Sequence, residues 1–138
     1  ASVPAERWKV LPFLSQKHWA LALADLAVTR AGANGLAELA AAGVPMIMVP
    51  YPYAGGHQMY NARPIEQAGA GVIIEDKDLT GERLAGAVLE MVADQGRLRA
   101  MAAAARQWAR PDAARRVAQL VSEVAGVSAD QCDVGMGS

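Results

Sequence analysis

Leu26-Ala27-Val28-Thr29-Arg30-Ala31-Gly32-Ala33-Asn34-Gly35-Leu36-Ala37-Glu38 is the stretch around which the chain is organised. An apolar strand, Leu26 to Val28, runs into it. An Ala-rich helix, Leu36 to Ala42, runs out of it and is closed by Gly43. Between them, Gly32 and Gly35 let the backbone turn tightly and lie close to a ligand. The first N–H groups of a helix have no intrahelical partner, and the dipole adds partial positive charge, so this turn suits an anion. Glu38 follows about one turn into the helix, where its carboxylate can accept hydrogen bonds from two sugar hydroxyls. One reading is a turn that holds the diphosphate and ribose of a nucleotide sugar. The other is a tight loop shaped by two glycines, with Glu38 in solvent. The stretch alone leaves both open. Two commoner phosphate motifs are excluded: Arg30 to Gly35 does not fit G-x-G-x-x-G, and no Gly-Lys-Ser/Thr follows.

Working outward, Trp8 to Phe13 reads as a short strand with Pro12 at its exit. Ser15 to Ala24 reads as a helix with Ser15 as its N-cap. Asp25 to Thr29 is the second strand, and Met46 to Val49 the third. Both are apolar through their cores, as strands buried on both faces are. Pro50, Pro52 and Gly55-Gly56 make an irregular loop. His57 to Ala68 reads as a helix that Pro64 kinks or restarts, with Gly69 as its cap. Gly71 to Glu75 is the fourth strand. Thr80 caps a helix carrying Leu84, Val88 and Met91. A second helix carries Leu98, Met101, Ala105 and Trp108. Pro111 opens a third, with Val117, Leu120, Val121 and Val124 as a core-facing stripe. Residues 127–138 are small and polar and read as a disordered tail.

The pattern is α/β: a Rossmann-like parallel sheet of about four strands with helices on both faces. It makes one domain, residues 1–126. Ligands of such sheets sit beyond the carboxyl ends of the strands, here the loops after Val10, Val28 and Val49. A hydrophobic content of 53% and a charged content of 20% are those of a globular chain. A net charge of -1 and few aromatics argue against a nucleic-acid surface. The single Cys132 forms no intrachain disulfide, which favours a reducing compartment. No run is long enough to span a bilayer. Ala1 to Glu6 shows no signal-peptide pattern, and a first residue other than Met suggests a processed or truncated chain. Trp8, Trp19, Trp108, Met46, Met48 and Met59 read as core. His18 and Cys132 carry no assigned chemistry.

Three ordered motifs give a resemblance. Arg30-Ala-Gly-Ala-x-x-x-Ala-Glu38-Leu-Ala-Ala-Ala-Gly-Val-Pro45 is followed by Val49-Pro-Tyr-Pro and by His57-Gln58-x-x-Asn61-Ala. Together they resemble the C-terminal, UDP-N-acetylglucosamine-binding domain of the MurG family, two-domain (GT-B) glycosyltransferases of family 28. The likeness runs from about Trp8 to Gly126. It implies that Phe13 and Leu14 border the uracil, with the Leu14 backbone pairing to its edge. Arg30 and Gly32 belong to the donor motif, and backbone N–H groups of Ala33, Asn34 and Gly35 face the diphosphate. Glu38 takes the ribose hydroxyls. His57, Gln58 and Asn61 address the N-acetylglucosamine and the phosphate side, although many family members have Gln at the first of these positions. On the residues alone, His57 or Asn61 is more simply a helix cap and Gln58 a solvated side chain.

The resemblance implies the donor-binding part of an inverting transferase. The whole enzyme moves N-acetylglucosamine from UDP-N-acetylglucosamine to a lipid-linked muramyl-pentapeptide acceptor in peptidoglycan synthesis. It works in the cytoplasm, peripheral on the inner face of the bacterial plasma membrane. No cofactor or metal is implied, and no catalytic residue falls in this chain. The family's N-terminal acceptor domain, and two strands with a Gly-rich loop, have no counterpart here. Without those two strands a gap opens between Lys9-Val10-Leu11 and Leu26-Ala27-Val28. The strands close up, a second copy or partner chain fills the gap, or the chain is a piece of a larger protein. By itself the chain is expected to bind donor weakly or not at all and to turn nothing over. Two alternatives remain: another UDP-sugar transferase of the same architecture, such as a glycolipid synthase, and a non-catalytic binding module or subunit.

Overall fold

The computed structural model describes residues 7–53 and 55–126. In chain order the elements are α1 (Lys17–Leu23), β1 (Ala27–Thr29), α2 (Ala33–Ala42), β2 (Met46–Met48), α3 (His57–Gln67) and β3 (Gly71–Ile73). A 3-10 turn (Asp76–Asp78), α4 (Gly81–Ala93), α5 (Gln95–Trp108) and α6 (Ala113–Ala125) follow. The strands form a parallel sheet in the order β1-β2-β3. Parallel neighbours need a crossover, and α2 and α3 supply it. The expected tail, residues 127–138, lies outside the described residues.

β2 explains the layering. Met46 and Met48 enter one core cluster and Ile47 and Val49 another, because successive side chains point to opposite faces. The first cluster joins Leu36, Leu39 and Ala40 of α2 to Ala62 and Ile65 of α3 and Ala105 of α5. The second joins Met91 of α4 to Leu98 and Met101 of α5. Both faces of the central strand are therefore dry, as the unbroken apolar run Met46 to Val49 requires. Gly43, with φ 72°, ends α2: its N–H donates to Ala40 O and the Val44 N–H to Leu39 O. Thr80 caps α4, its Oγ1 accepting from Arg83 N at 3.1 Å. α3 runs through Pro64 without a restart. At the outer border of β3, Glu66 Oε1 accepts the Ile73 N–H at 2.9 Å.

Four expectations need correction. Trp8 to Phe13 forms no strand, so the described sheet has three strands rather than four, with β1 at its border. Extended backbone becomes a strand only with a neighbour to complete its hydrogen bonds, and none of the described residues supplies one beyond β1. The strands have not closed over the gap. Next, α1 begins at Lys17 after Gln16, and no side chain caps it, Ser15 included. Of the tryptophans, only Trp108 packs on the core; Trp8 and Trp19 are each 62% exposed. Finally, the α6 stripe of Val117, Leu120, Val121 and Val124 faces away from the core, between 60% and 83% exposed. An apolar face states that it needs cover, not which element provides it.

Gly71 is where β3 meets β2 most closely. A Cβ there would lie 2.8 Å from Met46 O and 2.9 Å from Met48 Cε. The oxygen belongs to the central strand's backbone and has little room to retreat. Gly71→Ala is expected to lower stability by about 1–3 kcal/mol. At Gly86, in the exposed interior of α4, an added Cβ meets nothing, so Gly86→Ala should gain about 0.5–1 kcal/mol. Urea unfolding of the two variants checks both signs.

Candidate functional site

The turn after β1 is fixed by side chains from α3. Gln58 Oε1 accepts the Ala31 N–H and the Tyr51 N–H, each at 2.9 Å. Asn61 Nδ2 donates to Ala31 O at 3.0 Å. One amide thus joins the loop after β1 to the loop after β2, and the other completes the pairing of Ala31. Two N–H donors facing one atom require an oxygen, and a carbonyl facing the other requires an N–H, so both amide orientations follow from chemistry. Neither a solvated Gln58 nor a capping Asn61 fits this arrangement; both side chains are half-buried and bonded.

Gly32 precedes α2 with extended backbone, φ -71° and ψ 135°, and its carbonyl accepts the Leu36 N–H at 3.0 Å. No side chain caps α2. The N–H groups of Ala33, Asn34 and Gly35 therefore begin the helix without the usual Ser, Thr or Asp in front of them. A Cβ at Gly32 or Gly35 would meet nothing within 4 Å. The helix start is uncovered, and the glycines keep it so.

Arg30 leaves β1 and reaches across the strand ends. Its Nη1 donates to Val49 O at 3.4 Å, after β2, and forms an ion pair with Asp76, after β3. The guanidinium carbon lies 5.7 Å from the Tyr51 ring centre, within cation–π range. Glu38, one turn into α2, pairs with Lys17 of α1, and both side chains are about half exposed. His57 starts α3 after two left-handed glycines, Gly55 and Gly56, and is exposed. Phe13 is 81% exposed and Leu14 41%. The structure thus links Arg30, the Ala31–Gly35 turn, Gln58 and Asn61 through bonds, with Glu38 on the same helix. Phe13, Leu14 and His57 make no side-chain bond to that group.

Lys17, Tyr51 and Asp76 were missed from sequence. Lys17 is 21 residues from Glu38, and no local spacing connects them. Asp76 had a usable signal: it follows the last strand of a parallel sheet, where the same end-of-strand rule that selects Arg30 applies. Nearby, Lys77 holds the Glu75 carboxyl below its ordinary range, and Glu75 holds the Lys77 ammonium above its own. Each moves away from neutrality, so this pair is no switch near pH 7. A cavity of about 530 Å³ runs along β3 and α4, but no candidate residue lines it. A smaller one of about 200 Å³ lies among Tyr51, Gly56, Met59 and Asp76. Among the described residues no group of His, Cys, Asp and Glu could hold a metal ion, and no helix is long and apolar enough to cross a membrane.

Known proteins are similar to this chain in sequence and fold. Residues 2–117 match the glycosyltransferase family 28 C-terminal domain. The chain is 42% identical over 120 residues to the UDP-N-acetylglucosamine--N-acetylmuramyl-(pentapeptide) pyrophosphoryl-undecaprenol N-acetylglucosamine transferase of Halothermothrix orenii, covering 86% of this chain and 32% of that one. It is 43% identical over 125 residues to the enzyme of the same name from Mycolicibacterium smegmatis, covering 91% and 32%. Among solved structures, Acinetobacter baumannii MurG superposes with a TM-score of 0.76 at 35% identity, covering 83% of this chain and 33% of that one. The chain spans about a third of the length of these relatives. With its three parallel strands, the helices that cross between them and a match over residues 2–117, the chain belongs to the glycosyltransferase family 28 C-terminal domain family.

Proposed function

We propose that this chain is the donor-binding part of an inverting glycosyltransferase. The whole enzyme would move N-acetylglucosamine from UDP-N-acetylglucosamine to a lipid-linked muramyl-pentapeptide, in peptidoglycan synthesis. The uncapped, uncovered start of α2 carries the reading. As the acceptor hydroxyl attacks the anomeric carbon, UDP leaves and negative charge grows on the diphosphate. N–H groups already aimed there favour the transition state over the ground state. In this reading the backbone at Ala33, Asn34 and Gly35 faces the diphosphate, and Arg30 adds positive charge. Glu38 takes the ribose hydroxyls, exchanging its Lys17 contact for them. Phe13 and Leu14 border the uracil. Acceptor binding and the base would come from parts of the enzyme outside this chain. The lipid acceptor would place the enzyme on the inner face of the plasma membrane, and a second copy or partner chain would cover the outer side of β1.

The internal bonds limit what the amides offer a ligand. The Gln58 carbonyl is occupied, which leaves its Nε2 donors. One N–H of Asn61 Nδ2 is engaged, which leaves its second N–H and its Oδ1 acceptor. Gln58 then faces an acceptor group of the donor sugar, and Asn61 a hydroxyl, toward which it can donate or accept. His57 stands beside them as an exposed third contact.

Titrating the 15N-labelled chain with UDP-N-acetylglucosamine tests the assignment. Shifts should centre on residues 31–38, with a Kd on the order of 1 mM, and no sugar should be turned over. Of the two outcomes expected from the sequence, weak binding or none, the open start of α2 commits this reading to weak binding, so shifts confined to other surfaces, or none at all, would sink it. UDP-glucose in competition should bind more weakly.

Two sets of variants separate scaffold from ligand contact. Gln58→Glu keeps an oxygen for both N–H groups, so stability should stay within about 0.5 kcal/mol, while the lost donor and added charge should abolish the shifts. Asn61→Asp sets an oxygen against Ala31 O and should cost about 1–3 kcal/mol in urea unfolding. Gly35→Ala should stabilise the chain by about 0.5–1 kcal/mol, yet remove binding, since its Cβ would stand where the diphosphate approaches.

A further inference from the structure

We infer that Asp76 is a positioning residue: it holds the Arg30 guanidinium across the carboxyl ends of the strands, in place to meet a nucleoside diphosphate. The inference rests on the donor-binding reading above, and it adds the loop after β3, which that reading does not use. Arg30 Nη1 is shared between Val49 O and the Asp76 carboxylate, and the guanidinium carbon lies over the Tyr51 ring, 5.7 Å from its centre. Contacts from the loops after β2 and β3 thus fix a side chain rooted directly after β1. Among the described residues the protein bonds only Nη1 of this guanidinium. The N–H groups of Nε and Nη2 remain as donors, arranged as a fork that suits a phosphate.

Asp76 is an unsuitable ligand for a diphosphate itself, because like charges repel. Its contribution must pass through Arg30. Two effects oppose each other. Fixing a long, flexible side chain beforehand avoids ordering it when the ligand arrives. Against that, the carboxylate repels the incoming anion. With side-chain exposures of 50% for Arg30 and 33% for Asp76, water and salt screen the repulsion. The preordering is the larger effect. Tyr51 takes part twice: its ring lies beside the guanidinium, and its N–H is held by Gln58. The Arg30 fork and the Ala31 turn are therefore set in one frame.

The test titrates the labelled 138-residue chain with UDP and, separately, with uridine. Asp76→Ala and Arg30→Ala should each weaken UDP binding by roughly two- to fivefold and leave uridine unchanged. The double variant should bind UDP no more weakly than Arg30→Ala alone, and Asp76→Glu should restore most of the loss. A thermal melt checks that each variant is folded, and Asp76→Asn replaces Asp76→Ala if the latter is not. If Asp76→Ala binds UDP as well as or better than the parent, the inference fails. It also fails if uridine weakens in parallel, or if the two losses add in full. In all three cases the donor-binding reading stands. If the parent binds neither UDP nor uridine, that reading fails and takes the inference with it.

Discussion

The site depends on one oxygen. Gln58 Oε1 accepts two backbone N–H groups, from Ala31 and Tyr51, that belong to different loops. Neither loop is regular structure, and neither N–H has a strand partner. Left unpaired, the N–H of Ala31, a buried residue, would cost about 1–3 kcal/mol, and that of Tyr51, an exposed one, less. A single amide on the first turn of α3 satisfies both, and Asn61, nearly one turn later on the same helix, satisfies the Ala31 carbonyl. Helical spacing is what allows it: positions three and four apart lie on one face. The direction of α2, the openness of its first turn and the reach of Arg30 all follow from where Ala31 is held.

In the proposed donor-binding role, Gln58 and Asn61 would have two tasks at once. A side chain that only touched a ligand could be replaced at a cost to binding alone. One that also carries loop backbone couples binding geometry to folding, so the same residues set the shape of the turn and the polarity it offers. Precision in such a site comes from bonds within the protein that lock rotamers before a ligand arrives.

Much of the framework was legible in the sequence, and the reason is local. Met46 to Val49 is an unbroken apolar run, and only a strand covered on both sides makes sense of it. Gly43 and Gly69 mark helix ends, and Thr80 a helix start. What could not be read was what lies outside each element. Trp8, Trp19 and the Val117–Val124 stripe are apolar and so look like core, yet the described residues do not cover them. The strand expected at Trp8 to Phe13 failed on the same ground: its residues suit a strand, but pairing is decided by a neighbour. The site shows the same division. Gly32, Gly35 and Glu38 were singled out from strand, turn and helix order, and Arg30 from the motif that carries the resemblance. Lys17 and Asp76 were not, because a long-range ion pair leaves no spacing pattern. Gln58 was singled out for its chemistry toward sugars, and its structural task became visible only with the fold.

The two borders of the sheet differ. At β3 the outward N–H of Ile73 is already bonded to Glu66, so a strand arriving there finds its donor taken. At β1 the described residues place nothing alongside, and Val28 is half exposed. Among the described residues, pairing is therefore favoured at β1 over β3: a strand arriving at β1 meets unclaimed backbone, and a copy joined there turns outward a border whose Ile73 donor is already taken, which discourages growth into a fibre.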